Sequence, residues 1–241
     1  MTRTLATAGR VLRQLRHDHR TMALLIVVPV LLMALVSWVF PAGVYAHIGL
    51  LMLGIFPFIT MFLVTSIATL RERQTGTLER LLAMPMGKVD FILGYQFAFA
   101  VVSLVQALVA VLVGVLLLGL TITGPVWMAV LIAMSVAQLG TALGLAVSAL
   151  AQTEFQAVQF MPAIVIPQFF LCGLFVPRDQ LNAVLGPLSD VMPLSYAVDV
   201  LGRITVATTL DADAWRKFGV IWAFVIGSVA VGSLTLRRRS V

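Results

Sequence analysis

The residues that could do chemistry are concentrated in one short charged segment, RERQTGTLERLLAMPMGKVD, at positions 71–90, which we call the coupling segment. Long apolar runs lie on both sides of it. The sequence contains no G-x-x-x-x-G-K-[ST] loop that would hold nucleotide phosphates, and no H-E-x-x-H or G-x-S-x-G motif that would support hydrolysis. Any work that the protein does must therefore be driven by a partner or by a gradient of its own substrate.

The pattern inside the coupling segment predicts a short docking helix. Three leucines at i, i+3 and i+4 form one apolar face, namely Leu78, Leu81 and Leu82. Thr75 or Thr77 can cap the start of this helix, and Pro85 ends it. A helix of two turns is not stable alone, so we expect its leucine face to be buried in a groove of another protein. The alternative is a solvated loop retained for its positive charge, which explains the arginines but not the leucines.

The composition indicates an integral membrane protein. The chain has 241 residues, of which 61% are hydrophobic and 11% are charged, whereas soluble domains are about half apolar and about a quarter charged. We predict a single all-α membrane domain over residues 1–241. Six apolar segments are long enough to cross about 30 Å of hydrocarbon as helices, and they lie at about 22–40, 48–70, 91–120, 124–150, 155–177 and 218–236.

The distribution of positive charge predicts the topology. An even number of spans puts both termini on one side, together with the coupling segment. Of the 16 Lys and Arg residues, five lie in the N-terminal arm, four in the coupling segment and three in the C-terminal tail, so this side is predicted to be cytoplasmic. Aromatic residues at the opposite helix ends predict an outer belt, formed by Trp38, Tyr45, Trp127 and Trp215.

Two shorter regions complete the predicted fold. Residues 1–20 read as an interfacial amphipathic helix, retained as an anchor and not cleaved, whose apolar side carries Leu5, Ala8, Val11, Leu12 and Leu15. Residues 178–215 form a longer outer region whose apolar pieces are too short to span. They predict a pair of re-entrant or interfacial helices, the second starting at Pro193, with an i,i+4 pair between Asp199 and Arg203. The alternative for this region is an ordinary extracellular loop.

The predicted spans contain no acidic or basic residue, which argues against a proton-coupled carrier. Their glutamines either form hydrogen bonds between helices or line a path for amphiphilic molecules. The residues that we assign to such a path are Gln96, Gln106, Gln159, Gln168, Phe169 and Phe170. Rows of small residues predict close helix packing, within the subunit or across a dimer: Gly140, Gly144 and Ser148 in the fourth span, and Gly219, Ala223 and Gly227 in the sixth.

The sequence resembles the type 2 ABC transporter permeases, which include daunorubicin-resistance exporters and polysaccharide exporters. The resemblance lies in RERQTGTLERLLAMP, in TEFQAVQFMPAIVIPQFFLCGLFVP and in MPLSYAVDVLGRI. It implies a prokaryotic cell-membrane permease that pairs with a second copy or a sister permease and with two ABC ATP-binding subunits. By this resemblance a coupling helix docks in a cleft of the ATPase, and it is formed by Glu72, Gly76, Thr77, Leu78, Glu79, Arg80, Leu81, Leu82 and Pro85.

The resemblance implies no catalytic residue, no metal site and no directly bound cofactor in this chain, because ATP and Mg are held by the partner ATPase. Export of a hydrophobic or amphiphilic drug, lipid or lipid-linked molecule is the expected function. Export of a polysaccharide or another envelope glycan is one alternative. An ATPase-independent channel or scaffold is the other. Membrane lipids are expected partners and nucleic acid is not, since the net charge of +6 is accounted for by the topology.

Overall fold

A computed structural model describes residues 2–77 and 87–235, and every regular element in these two ranges is a helix. The α-helices are α1 (Thr2–His17), α2 (His19–Val39), α3 (Ala42–Gln74), α4 (Lys88–Leu116), α5 (Val126–Ser148), α6 (Glu154–Leu171), α7 (Leu185–Val191), α8 (Pro193–Val206) and α9 (Ala212–Thr235). A single 3-10 turn at Arg178–Gln180 precedes α7.

Helices α3 and α5 form the centre of the molecule. A Cβ atom built on Gly144 would lie 2.5 Å from the carbonyl oxygen of Phe62, and one built on Gly140 would clash with the carbonyl of Phe58. The predicted row of small residues in α5 therefore packs within the subunit, where it lets two helix backbones touch. The corresponding row in α9 does not bring two helix backbones into contact, because no atom lies within 4 Å of a Cβ built on Gly219 or Gly227.

Five of the described helices are long and apolar enough to cross a membrane, judged by length and composition. They are His19–Val39, Ala42–Gln74, Val89–Leu116, Val126–Ser148 and Ala212–Leu234. The predicted segment 155–177 is not among them, so the count of six is not confirmed. Its helix, α6, has 18 residues and carries the polar side chains of Gln156, Gln159 and Gln168.

The prediction that this segment continues as one helix to residue 177 is wrong. Helix α6 ends at Leu171, and Gly173 then adopts a φ of 91°, a backbone conformation that residues with a side chain rarely adopt. The carbonyl of Leu171 accepts hydrogen bonds from the hydroxyls of Ser189 at 2.7 Å and Ser195 at 3.4 Å. Side chains of α7 and α8 thus replace the backbone N–H groups that a longer helix would have provided.

Helix α1 packs against α4. Ala8, Val11 and Leu15 are buried in a cluster that includes Phe91 and Tyr95 of α4. Leu5, which the sequence pattern placed on the same apolar side, is 61% exposed. The amphipathic pattern therefore corresponds to a helix that is buried partly on its own protein.

Residues 185–206 contain two short helices, α7 and α8, in the region where the sequence predicts a pair of re-entrant or interfacial helices, and their placement relative to a membrane stays a prediction. Pro193 is at the start of α8, and Asp199 pairs with Arg203 at 3.2 Å, as expected. Most of α8 is buried, and Leu201 lies 2.7 Å from a Cβ built on Gly54 of α3. Because Gly54 has no side chain, Leu201 can pack directly against the central helix α3. This contact places α8 close to the core.

The three tryptophans of the predicted aromatic belt are exposed, whereas Tyr45 is buried; the position of the belt relative to a membrane stays a prediction. Trp38, Trp127 and Trp215 are 82%, 56% and 43% exposed. Tyr45 is only 3% exposed, because its ring lies against Gly49, where a Cβ would be 2.7 Å away.

Candidate functional site

The C-terminal end of α3 leads into the coupling segment and is fixed by several contacts. Helix α3 ends at Gln74, and the next turn passes through Gly76 with a φ of 70°, a backbone conformation that favours glycine. The hydroxyls of Thr75 and Thr77 lie 3.0 Å apart at this turn. The direction in which the chain leaves α3 is thus set by local geometry.

Glu72 points inward and pairs with α1. Its side chain is buried, and its Oε1 atom accepts a hydrogen bond from Nη1 of Arg10 at 3.0 Å. Arg10 also donates to the hydroxyl of Tyr95 on α4 at 3.4 Å. Burial alone lowers the pKa of Arg10, but the neighbouring Tyr95 and Glu72 outweigh it and the pKa is raised. Three helices therefore meet at one partly buried ion pair.

The neighbours of Glu72 bind the turn between α5 and α6. Arg71 forms a two-bond ion pair with Glu154, at 2.6 and 3.0 Å. Arg73 donates to the carbonyl of Ser148, and Gln74 donates to the carbonyl of Gln152 at 2.8 Å. These contacts thus connect the end of α3 to the end of α5, to the turn that follows it and to the first residue of α6.

The other end of the coupling segment is also held by α1. Asp90, in the first turn of α4, accepts hydrogen bonds from the backbone N–H of Gly87 at 3.2 Å and from the hydroxyl of Thr4 at 2.9 Å. Thr4 and Arg10 lie on the same helix. Helix α1 therefore contacts both ends of the coupling segment, one through Thr4 and Asp90 and the other through Arg10 and Glu72.

The predicted coupling residues are only partly within the described chain. Glu72, Gly76 and Thr77 lie within it, at the end of α3 and the turn that follows. The remaining six lie outside the described residues, and they are Leu78, Glu79, Arg80, Leu81, Leu82 and Pro85.

Both of the predicted path residues on α4 form hydrogen bonds between helices. Gln96 of α4 donates to the side chain of Gln138 on α5 at 2.6 Å. Gln106 of α4 donates to the carbonyl of Leu25 on α2 at 2.6 Å and to the hydroxyl of Thr60 on α3 at 2.9 Å. These contacts match the interhelical alternative, because both amides are used within the subunit.

The four predicted path residues of α6 lie on two sides of that helix. Gln168 is buried, and its Oε1 atom accepts a hydrogen bond from the backbone N–H of Leu194 at 3.4 Å. Phe169 is half-buried, whereas Gln159 and Phe170 are exposed. The exposed side, which we call the α6 face, consists of Phe155, Val158, Gln159, Pro162, Ala163, Ile166, Pro167 and Phe170.

A second group of charges joins α8 to the start of α9 at the opposite end of the molecule. Arg203 pairs with Asp211 at 2.8 Å and with Asp213 at 2.6 Å, and Lys217 pairs with Asp199 at 2.6 Å. The backbone N–H of Ala214 and the Arg203 guanidinium lower the pKa of Asp211. A cavity of 720 Å³ opens beside this group, between α3, α7, α8 and α9.

Sequence reasoning missed most of the partners at both ends. Arg10 reads as one of several arginines on the polar side of α1, and nothing in its spacing indicates Glu72, which is 62 residues away. Glu154 indicates a contact more clearly than Arg10 does. It is the one acidic residue in the sequence between the fourth and fifth apolar segments, close to the predicted cytoplasmic surface. An isolated carboxylate at that place suggests a cationic partner.

Comparison with known proteins gives a family match over most of the chain. Residues 2–204 match a family model described as "ABC-2 type transporter". The match includes α1, the coupling segment and all but the last two residues of α8, and it ends before α9.

Individual relatives are distant and longer. Nodulation protein J of Rhizobium leguminosarum bv. viciae is 26% identical over 173 residues, which are 70% of this chain and 64% of that protein. The probable multidrug ABC transporter permease YbhR of Escherichia coli strain K12 is 23% identical over 178 residues, which are 73% of this chain and 47% of that protein. ABC transporter G family member 20 of Dictyostelium discoideum is 23% identical over 73% of this chain and 24% of its own length. The chain thus spans less than two thirds of each of these relatives.

Proposed function

This chain belongs to the ABC-2 type transporter family, and from that premise we propose that it is the membrane subunit of an ATP-driven exporter of hydrophobic or amphiphilic molecules. In this proposal two ABC ATP-binding subunits hold ATP and Mg, and two permease copies, identical or homologous, enclose the substrate path. The observation that carries the proposal is the contact of both ends of the coupling segment with α1, together with the contact of one end with the start of α6.

These contacts offer a mechanical route from ATP to the substrate. Closure of the ATPase subunits would displace residues 78–85, which we propose to dock in an ATPase cleft. A rigid displacement of the coupling segment pulls on α1 through Glu72 and Asp90, and on α6 through Arg71. Because α1 packs along α4, the movement reaches several helices together.

The proposed topology has six crossings, with α6 as the fifth and both termini in the cytoplasm of a prokaryotic cell. An 18-residue helix is about 27 Å long, slightly less than the hydrocarbon thickness, and local thinning of the bilayer accommodates such a difference. Helices α7 and α8 then lie at the outer end of the path, where the Arg203 ion pairs hold α8 to α9.

The α6 face supports an amphiphilic substrate. It combines Phe155, Ile166 and Phe170 with one neutral amide, Gln159, and offers no charged side chain to a compact ionic solute. The multidrug description of the Escherichia coli relative points to the same class. We therefore favour export of drugs or lipids over export of an envelope glycan.

The experiment that tests this function is purification of the tagged protein from its host in mild detergent, with mass spectrometry of the proteins that accompany it. We expect an ABC ATPase in the wild-type sample. Leu81→Asp and Glu79→Arg should release the ATPase while leaving the permease inserted, because they place charge on the leucine side of the docking helix or reverse its charge. Leu188→Asp, the same change on α7 at the opposite end, is the matched control and should retain the ATPase.

Each outcome decides between the candidate functions. If both coupling variants retain the ATPase, the assignment of residues 78–85 is wrong. If neither purification nor crosslinking in membranes recovers an ATPase with the wild type, the chain is a channel or scaffold. If an ATPase is recovered and loss of the protein changes the cell envelope without changing sensitivity to hydrophobic drugs, the glycan exporter is correct.

A further inference from the structure

The junction between α1 and α2 carries five basic residues within eight positions, and we call it the basic elbow. They are Arg13, Arg16, His17, His19 and Arg20, and all five are exposed. Arg13 and Arg16 lie on the side of α1 that faces away from α4, because the opposite side is buried in the cluster that includes Phe91. The basic elbow therefore presents its charges outward from the subunit.

These charges are not neutralised by the described part of the chain. The side chains of Arg13, Arg16 and Arg20 form no ion pair or hydrogen bond with it. Asp18 is the one acidic residue among the first 71 in the sequence. Its two carboxylate oxygens accept hydrogen bonds from the backbone N–H and the hydroxyl of Thr21, at 3.1 and 2.6 Å. Three guanidinium groups thus lie near one carboxylate that already caps α2, which leaves the basic elbow with excess positive charge.

An exposed apolar stripe, which we call the α2 stripe, runs along α2 from the basic elbow. It consists of Leu24, Val27, Leu31 and Leu35, all of them exposed. Steps of four, three, four and four residues from Arg20 keep these side chains on the same side of the helix as that arginine. The opposite side carries the buried residues of α2, which are Leu25, Pro29 and Met33. One side of α2 therefore combines a cation at its start with apolar side chains beyond it.

The length of the α2 stripe matches one leaflet of a bilayer. Residues 20 to 31 span about 16 Å of helix, and half of a hydrocarbon core is about 15 Å thick. A phospholipid with its phosphate at Arg20 therefore has its acyl chains beside Leu24, Val27 and Leu31. An acidic surface of a partner protein pairs with the arginines only and leaves the α2 stripe uncovered. The charge and the stripe together favour a lipid.

We infer that the basic elbow is a binding site for an anionic phospholipid of the cytoplasmic leaflet, with the phosphate held by Arg16 and Arg20 and the acyl chains packed on the α2 stripe. A guanidinium group donates two parallel hydrogen bonds to a phosphate, so it holds this group more specifically than a general positive potential does. A zwitterionic headgroup carries the same phosphate together with an ammonium group, which the neighbouring arginines repel. The site therefore prefers lipids with a net negative charge.

A lipid at this position acts on the helix that contacts the coupling segment. Helix α1 holds one end of that segment through Thr4 and Asp90 and the other end through Arg10 and Glu72. The basic elbow includes the C-terminal end of α1, so a bound lipid fixes this helix relative to α2 and the membrane. The inference rests on the proposed function, since it takes the basic elbow to lie at the cytoplasmic surface. It goes beyond that function by naming a lipid class, its place on the chain and the helix that it holds.

The test uses the full-length protein in detergent, with whatever subunits purify with it, and native mass spectrometry to give a Kd for the first bound lipid. The probes are dioleoylphosphatidylglycerol, which is anionic, and dioleoylphosphatidylcholine, which has the same acyl chains and no net charge. We expect the wild type to bind the anionic lipid about tenfold more tightly. Millimolar inorganic phosphate should not displace this lipid, because phosphate alone does not contact the α2 stripe.

Two triple variants separate the basic elbow from positive charge in general. The first replaces its three arginines, as Arg13→Gln, Arg16→Gln and Arg20→Gln. It should bring the two Kd values to within about twofold of each other. The matched control makes the same change in the C-terminal tail, as Arg237→Gln, Arg238→Gln and Arg239→Gln. Because it removes the same charge from the same predicted side of the membrane, this control should keep the full preference for the anionic lipid.

Two single variants keep the test decisive if the first triple variant does not insert. Arg20→Gln should weaken binding of the anionic lipid by about threefold or more and leave the zwitterionic lipid unchanged. Leu24→Ala removes apolar surface from the same side of α2. It should weaken both lipids by a similar factor and keep the preference for the anionic one.

Four results overturn the inference: equal binding of the two lipids by the wild type, a full preference in either variant of the basic elbow, loss of the preference in the tail variant, or displacement of the anionic lipid by inorganic phosphate. Loss in the tail variant would mean that the lipid responds to total charge only. None of these measurements needs an ATPase or transport, so their failure is distinguishable from failure of the proposed function.

Discussion

At the scale of single residues, the ion pair between Arg10 and Glu72 is the contact whose removal best tests the proposed coupling of α1 to α3. Glu72 reads from the sequence as part of a surface that contacts the ATPase, whereas its carboxylate is buried against α1 in the structure. The same residue can thus belong to the coupling machinery without touching the partner. Its contribution is to keep α1 in register with the end of α3.

We expect Glu72→Gln to weaken this contact and to lower the thermal unfolding midpoint in detergent by about 3–8 °C, because removal of one charge leaves a partly buried guanidinium without its partner. ATP hydrolysis by the assembled complex should persist while substrate transport falls. Arg10→Met combined with Glu72→Leu should be less destabilised than the two single variants added together. Full additivity in this double-mutant cycle would contradict a direct interaction.

Asp211 gives a prediction about pH. Its pKa in the folded protein is lowered from the ordinary value of 3.8, first by the backbone N–H of Ala214 and then by Arg203. A depressed pKa means that the ionised form is favoured in the folded state, so its stabilising effect is present above pH 3.8 and is lost as the pH falls below that value.

Asp211→Asn should therefore lower the unfolding midpoint at pH 7, and the difference from the wild type should shrink as the pH falls below 3.8, because protonation then progressively removes the stabilising charge. The measurement is a set of thermal scans of both proteins between pH 3 and pH 7. Asp179→Asn is the control, because Asp179 forms no ion pair with the described residues. An equal difference between wild type and Asp211→Asn at all pH values would contradict this account.

At the scale of helices, the contact between α3 and α5 depends on glycine. Alanine stabilises an exposed helix position by about 1 kcal/mol relative to glycine, but a Cβ at residue 144 would lie 2.5 Å from the carbonyl of Phe62. Steric repulsion should exceed the gain in helix propensity at this position. The same substitution on α9 has no such penalty.

Gly144→Ala should accordingly destabilise the protein by about 1–3 kcal/mol, as overpacked cores do. Gly227→Ala, where no atom lies within 4 Å of the built Cβ, should leave the unfolding midpoint unchanged or raise it. Thermal scans of the two purified variants decide the question. A stable Gly144→Ala protein with an unchanged midpoint would mean that α3 and α5 are not in contact at this point.

At the scale of the whole molecule, the topology depends on whether α6 crosses the membrane. Five helices are long and apolar enough to span, and an odd number would place the termini on opposite sides. With α6 as a sixth crossing, the turn before it and the region after it lie on different sides of the membrane. Helix α6 starts beside α3 at Glu154 and ends against α7 and α8, which is the arrangement that a crossing requires.

Single cysteines in a Cys172→Ser background test this arrangement with a membrane-impermeant maleimide. Arg13→Cys and Gln152→Cys should react in inverted vesicles and not in intact cells, and Gln180→Cys should react in intact cells only. Labelling of positions 152 and 180 from the same side would show that α6 does not cross. The reaction at position 13 serves as the control for the cytoplasmic side.

The sequence by itself determined the class of the protein, the positions of most helices and the family. These conclusions depend on properties that are local in the chain, namely runs of apolar residues, the spacing of arginines, proline at the start of α8 and the motif in the coupling segment. The family match over residues 2–204 confirms the resemblance that these motifs indicated. The i,i+4 pair of Asp199 and Arg203 was predictable for the same reason.

Only the tertiary structure decided what each polar residue does. Gln106 and Gln159 look alike in the sequence, yet Gln106 satisfies the carbonyl of Leu25, 81 residues away, while Gln159 is exposed. Arg10 finds Glu72, and α6 ends six residues earlier than its apolar run because hydroxyls from α7 and α8 replace its helical donors. The physical reason is that helix formation depends on neighbouring residues, whereas the partner of a buried polar group depends on which helices pack together.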